Sequence, residues 1–179
     1  MTDFYFIRHG SIDFRELGTK FYQGWGIDMA PLSQEGIAQI EAVSSFELLK
    51  ECELILTSPY GRCLHTAAIL SKNLQIPIAV ETDLHEMLLD RNYECLDDDE
   101  GMRRFEERIA LNGEWPEGEE RPWESKEQMQ ERIIGVLSGY MDHKSVIVIS
   151  HGSLMQYLFH TEHPGNGSIM KLTLHTEED

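Results

Sequence analysis

Three short apolar runs, each broken off abruptly by a polar cluster, constrain this chain more than anything else in it. Asp3-Phe-Tyr-Phe-Ile7 stops at Arg8-His9-Gly10, Glu53-Leu-Ile-Leu-Thr57 at Ser58-Pro59, and Ser145-Val-Ile-Val-Ile-Ser150 at His151-Gly152-Ser153. Such near-continuous runs are how strands covered on both faces read, as in a parallel sheet sandwiched between helices. Helical patterns fall between them. Ser33 is placed to cap a helix running to about Leu49, with Ile37, Ile40, Val43 and Ser44 facing inward, and a second helix is predicted from Tyr60 to Asn73. Ile76–Glu81 reads as a third strand interrupted by proline. Helices over Asp98–Leu111 and Ser125–Asp142 flank a loop at Asn112–Trp123, and Ser125 with Gln128 has the form of a capping box. The loop at His151 opens a helix to about His160, and Ile169–His175 reads as a final edge strand.

Strands alternating with helices imply right-handed crossovers and a three-layer α/β/α fold with a mostly parallel central sheet. Ligands bind such sheets beyond the carboxyl ends of the strands, which is where the three polar clusters fall. The stretch Ser11–Pro31, with glycines at 18, 24 and 26, reads as a long loop; loops of that length are functional or disordered, and the aromatic residues Phe14, Phe21, Tyr22 and Trp25 favour an ordered one. At 179 residues the chain is expected to form one domain, 1–179, carrying an acidic, largely helical insertion at about 82–124.

Charge narrows the range of partners. Fifteen Lys and Arg against 32 Asp and Glu give a net −17, which argues against nucleic acid and anionic membranes. Residues 81–131 hold 18 of the acids and six basic residues, leaving the rest of the chain at only −5, where a small cationic pocket fits. Three scattered cysteines (Cys52, Cys63, Cys95) do not make a disulfide framework, and no apolar run approaches the ~20 residues of a membrane span. A reduced, cytoplasmic protein is expected.

Two arginines and two histidines at adjacent strand ends form a tool for phosphoryl groups. The guanidinium fork matches phosphate oxygens and keeps its charge, and a neutral imidazole nitrogen is a good nucleophile near neutral pH. Helices starting near Tyr60 and His151 offer further amide donors. Such chemistry needs positioning and charge stabilisation; it requires neither a cofactor nor a metal. His160 and His163 have no cysteine or carboxylate cluster beside them and are set aside as metal ligands, and Cys63 reads as packing.

The same residues carry a family likeness. Arg8-His9-Gly10, Gly24-Trp25 with Pro31-Leu32-Ser33 and Gly36, Thr57-Ser58-Pro59 through Arg62 to Thr66-Ala67, Trp123-Glu124-Ser125 and Ser150-His151-Gly152 together resemble the histidine phosphatase superfamily, with its phosphoglycerate mutase-like fold. The resemblance implies that His9 is the nucleophile and becomes phosphohistidine, that Arg8 and Arg62 clamp the phosphoryl oxygens, and that His151 stabilises the transferring group. The Gly152 amide adds a donor. Glu86 falls where the family places its acid/base, in a loop where Asp83, Asp90 and Glu94 compete; that role calls for a partly enclosed carboxyl. Ser11, Gln23 and Gly24 are candidate pocket-lining residues. Ser11 stands where many members carry an acidic or amide group. A basic cluster for a phosphoglycerate carboxylate is not evident unless Arg103 and Arg104 supply it. Hydrolysis of monoesters of a small phosphorylated metabolite is therefore expected, ahead of a phosphomutase or a non-catalytic phosphate-binding regulatory module. The acidic segment disfavours polyanionic substrates.

Overall fold

The computed structural model describes residues 1–15, 25–94 and 97–175. Five strands, β1 (Thr2–Arg8), β2 (Leu54–Thr57), β3 (Ile78–Val80), β4 (Ser145–Ser150) and β5 (Ile169–Leu174), form one sheet in the order β3-β2-β4-β1-β5. The first four run parallel, and β5 pairs antiparallel to β1 at one edge. Five helices cover it: α1 (Gln34–Val43), α2 (Gly61–Leu74), α3 (Asp98–Ala110), α4 (Lys126–Ser138) and α5 (Gly152–Leu158).

Side-chain alternation splits the core into two layers. Phe4 and Phe6 of β1, Leu56 of β2 and Val146 and Val148 of β4 pack with Met129, Ile133 and Leu137 of α4 and Leu154 and Met155 of α5. Ile7, Ile55, Ile147 and Ile149 point the other way, onto Ile40 and Val43 of α1 and Cys63, Ala67 and Leu70 of α2. This is the predicted α/β/α sandwich, with its parallel strands buried on both faces.

Several element ends differ from the sequence reading. The helix capped by Ser33, whose hydroxyl accepts from the Gly36 amide, stops at Val43 rather than Leu49. Ser44 and Ser45 donate their hydroxyls back to the carbonyls of Glu41 and Ala42, competing with further helical bonding, and Glu47–Leu49 forms a separate 3-10 turn that buries Leu49. The Ser125–Gln128 capping box is present, but α4 ends at Ser138, where Gly139 and Tyr140 tighten into three-residue bonds to Val136 and Leu137. The third strand shrinks to three residues at an edge with Ile78 and Val80 exposed, because Pro77 offers no N–H to a ladder. Within the predicted loop, Trp25–Met29 is a 3-10 helix, and Ile12 bridges Leu32.

The register brings the polar clusters together. Arg8 pairs with Ser150 and Thr57 with Ile149, so the residues after β1, β2 and β4 emerge side by side. The His9 amide donates to the Ser150 carbonyl (3.1 Å) and the Ser58 amide to that of Ile149 (3.3 Å).

Candidate active site

His9 sits just past β1, 4% exposed. Its backbone carbonyl accepts from the Asn166 side chain at 2.8 Å, and its ring nitrogen Nδ1 lies 2.9 Å from the Gly10 carbonyl. A carbonyl only accepts, so Nδ1 carries the hydrogen and Nε2 keeps its lone pair. Burial, reinforced by the charges of Arg62 and Arg8, drives the imidazole's proton affinity from 6.5 down to about 3. The ring is therefore neutral at physiological pH.

His151, fully buried at the mouth of α5, stands edge-on to His9 with ring centroids 5.5 Å apart. Its Nε2 is 2.8 Å from the Ser58 hydroxyl, and the Tyr60 ring packs against it at 5.2 Å. Burial, then Arg62 and His9, hold it well below the ordinary imidazole range. Behind it the buried Cys63 thiol approaches Nε2 to 3.5 Å; burial pushes that thiol up to about 12, which leaves it an unreactive packing group, as read from the sequence.

Arg62, on the first turn of α2, stacks over the Tyr60 ring at 4.8 Å and meets the Asp28 carboxylate at 3.3 Å. Arg8 donates to the Pro164 carbonyl. Burial and the nearby Arg62 charge lower its proton affinity while Glu86 raises it, so the two guanidinium groups share one field with that carboxylate. The Nε of each arginine is buried without a protein acceptor, as are those of Arg91, Arg108 and Arg121.

Of the four competing carboxylates, Glu86 is the one joined to this cluster. It is half-buried, as its expected role required; Oε1 accepts from the amides of Met87 (2.9 Å) and Leu154 (3.0 Å), and Oε2 from that of Ser153 (3.0 Å). Two early amides of α5 are thus engaged by protein rather than left for a ligand. Asp90 pairs with Arg104, and Asp83 and Glu94 are exposed. Arg103 and Arg104 are both bound to Glu100, so neither is a vacant carboxylate site. Ser11, a candidate pocket-lining residue, binds the Gln39 side-chain oxygen of α1 through both its amide and its hydroxyl. Gln23 and Gly24 lie outside the described residues. Glu124, of the Trp-Glu-Ser segment, is buried and bidentate to Arg132 (2.6 and 2.8 Å), bracing the Glu86 loop through the Leu88 amide.

The sequence reading missed four residues. Asp28, whose carboxyl burial raises while Arg62 lowers it, is the sole acid between Glu16 and Glu35, a signal that was there to read. Asn166 fixes the backbone of His9 from 157 positions away. Arg108, 2% exposed, reaches from α3 to the Ser153 hydroxyl at 3.3 Å, the one buried side chain among those described on a helix that leaves Met102, Phe105 and Ile109 exposed. His163, considered only as a metal ligand, lies over Gly152. Among the described residues, no three metal-ligating side chains cluster, and no helix is long and apolar enough to cross a membrane. A hollow of about 330 Å³ between Leu88, Arg91, Glu124, Gln128, Glu131 and Arg132 contains none of the four central residues.

A family model, the histidine phosphatase superfamily (branch 1), matches residues 4–170. An adenosylcobalamin/alpha-ribazole phosphatase of Escherichia coli (strain K12) is 25% identical over 162 residues, covering 85% of this chain and 74% of the relative. An uncharacterized phosphatase, PhoE, of Bacillus subtilis (strain 168) is 29% identical over 161 residues, 88% and 76% of the two chains. A solved mycobacterial glucosyl-3-phosphoglycerate phosphatase superposes with a TM-score of 0.73 at 20% identity, over 99% of this chain and 92% of that one. The phosphoglycerate mutase of Thermus thermophilus gives 0.65 at 20% identity, over 96% and 92%. At such identities the structural likeness is one of fold.

Proposed function

Because the chain belongs to the histidine phosphatase superfamily (branch 1), we propose that it hydrolyses phosphate monoesters of a small metabolite through a phosphohistidine at His9. The observation that carries this reading is a buried, neutral imidazole whose Nδ1 is committed to the Gly10 carbonyl, leaving the Nε2 lone pair, within the field of the Arg62 and Arg8 charges. Nε2 attacks phosphorus in line with the ester oxygen; an N–P bond forms as the P–O bond to the leaving group breaks. Arg8, Arg62 and His151 hold the equatorial oxygens and their charge. Glu86 protonates the departing alkoxide, then takes a proton from the water that attacks phosphorus, and the N–P bond breaks to give inorganic phosphate and neutral His9. Each carboxylate oxygen has two lone pairs. Oε1 uses both on amides and Oε2 only one, so the transferring proton rides on Oε2. No step calls for a metal or cofactor.

The relatives named as phosphatases support hydrolysis over isomerisation, and so does the pairing of Arg103 and Arg104 with Glu100, which leaves no cationic seat for a second anionic group there. The test is phosphate release from a panel of phosphorylated metabolites by the wild type and His9→Ala. The reading expects release by the wild type and none by the variant; equal release by both refutes it.

A further inference from the structure

We propose that the imidazole of His163 is a further binding group for the phosphoryl dianion, donating to it from Nε2 beside Arg8. The inference rests on the anion-pocket reading above. A Cβ added to Gly152 would lie 2.4 Å from His163 Nε2 and 3.1 Å from Arg8 Cζ, so those two atoms are at most 5.5 Å apart. The missing side chain at Gly152 is what lets the ring rest on the backbone at the start of α5. The other ring nitrogen, Nδ1, is 3.2 Å from the Gln156 side-chain oxygen on the next turn, which orients the ring and assigns the hydrogen to Nδ1. Nε2 is thus left without the Gln156 contact, on the ring edge that lies against Gly152 on the Arg8 side.

The charged and titratable groups facing this ring come from every neighbouring element. They are Arg8 and His9 at the end of β1, Glu86 in the loop after β3, and Arg108 on α3. Partial burial, then Arg8 and Arg108, push its proton affinity down against the pull of Glu86, so in the free protein Nε2 is an acceptor. An arriving dianion offsets the arginine charges and adds its own attraction for a proton. The ring then takes one proton from solvent, and Nε2–H becomes a donor to a phosphoryl oxygen. That N–H bond, its proton drawn from solvent, is the one covalent change. Dianion binding therefore carries proton uptake at a residue that remains accessible at the rim, whereas His9 and His151 are enclosed.

Sulfate tests this, being a tetrahedral dianion that does not itself titrate over roughly pH 5 to 8, the range in which histidine changes charge. Sulfate affinity of the full chain, measured calorimetrically in that range, is expected to rise on acidification, approaching about tenfold per pH unit. In His163→Gln, which keeps an amide donor but cannot titrate, most of that slope should vanish. A second measurement on the wild type, the ¹⁵N resonances of the His163 ring with and without sulfate at one pH, should show Nε2 gaining a proton. A slope unchanged in His163→Gln, or a His163 ring that stays neutral in saturating sulfate, overturns the inference and leaves the phosphatase reading standing. Failure of the wild type to bind sulfate at any pH overturns the pocket reading itself, and the inference with it.

Discussion

Replacing Glu86 by Gln separates the two tasks assigned to this carboxylate from its part in the fold. The amide oxygen can keep the bonds from Met87 and Leu154 that Oε1 now accepts, but the amide nitrogen would face the Ser153 N–H, donor against donor. One unsatisfied buried donor costs about 1–3 kcal/mol, and at this chain length that lowers Tm by roughly 2–12 °C. The chemical loss should be larger, about 10²–10⁴-fold in kcat on an alkyl phosphate, the usual worth of a positioned acid and base. A nitrophenyl ester divides the loss. Its leaving group departs without a proton, so the first displacement survives while attack of water on the phosphohistidine stays slow. Rapid-mixing absorbance should then show a burst of nitrophenolate stoichiometric with the enzyme, followed by slow turnover. If Glu86→Gln turns over both esters within about threefold of wild type, Glu86 is not the acid/base, and Asp28, paired to Arg62, becomes the carboxylate to replace.

Acidification should weaken the fold through His9. Its folded proton affinity lies at about 3 against 6.5 when unfolded, so the unfolded chain binds the extra proton between those values and stability falls as pH falls. One such group contributes a slope of about 1.4 kcal/mol per pH unit; urea titrations of His9→Asn should show that much less slope, and an unchanged slope contradicts the burial of a neutral ring. Gly36→Ala should lower both Tm and activity, because its Cβ would meet the Ser11 carbonyl oxygen at 2.1 Å in the loop two residues past His9. Overpacking of this kind costs about 1–3 kcal/mol, and a thermal melt within about 1 °C of wild type rules out the contact. Gly101→Ala, in α3 with open space around it, should instead raise Tm by about 1–4 °C through helix propensity.

The sheet was legible because strands buried on both faces leave continuous apolar runs, and their ends were legible because Arg8-His9, Ser58 and His151-Gly152 interrupt those runs sharply. Glu86 was narrowed only to a loop. What selects it over Asp83 and Asp90 is three amides, two of them on α5, that no local pattern announces. Asn166 acts on His9 across 157 positions, in the segment leading into the β5 strand that pairs with β1, whereas His163 meets Gly152 where the segment after α5 folds back over that helix's start. Arg108 reads as part of a solvated acidic helix, and its burial comes from tertiary placement that overrides the local pattern. Helix ends were displaced where serine hydroxyls or a glycine closed a turn early, at Ser44 and Gly139.

Covalent catalysis by His9 is tested most directly by quenching the enzyme with saturating substrate in alkali during turnover and locating the phosphoryl group by mass spectrometry. The prediction is a base-stable, acid-labile phosphoryl group on His9, enriched in Glu86→Gln when the substrate is a nitrophenyl ester and absent from His9→Ala. A phosphoryl group on any other side chain, or steady turnover by His9→Ala, would contradict it.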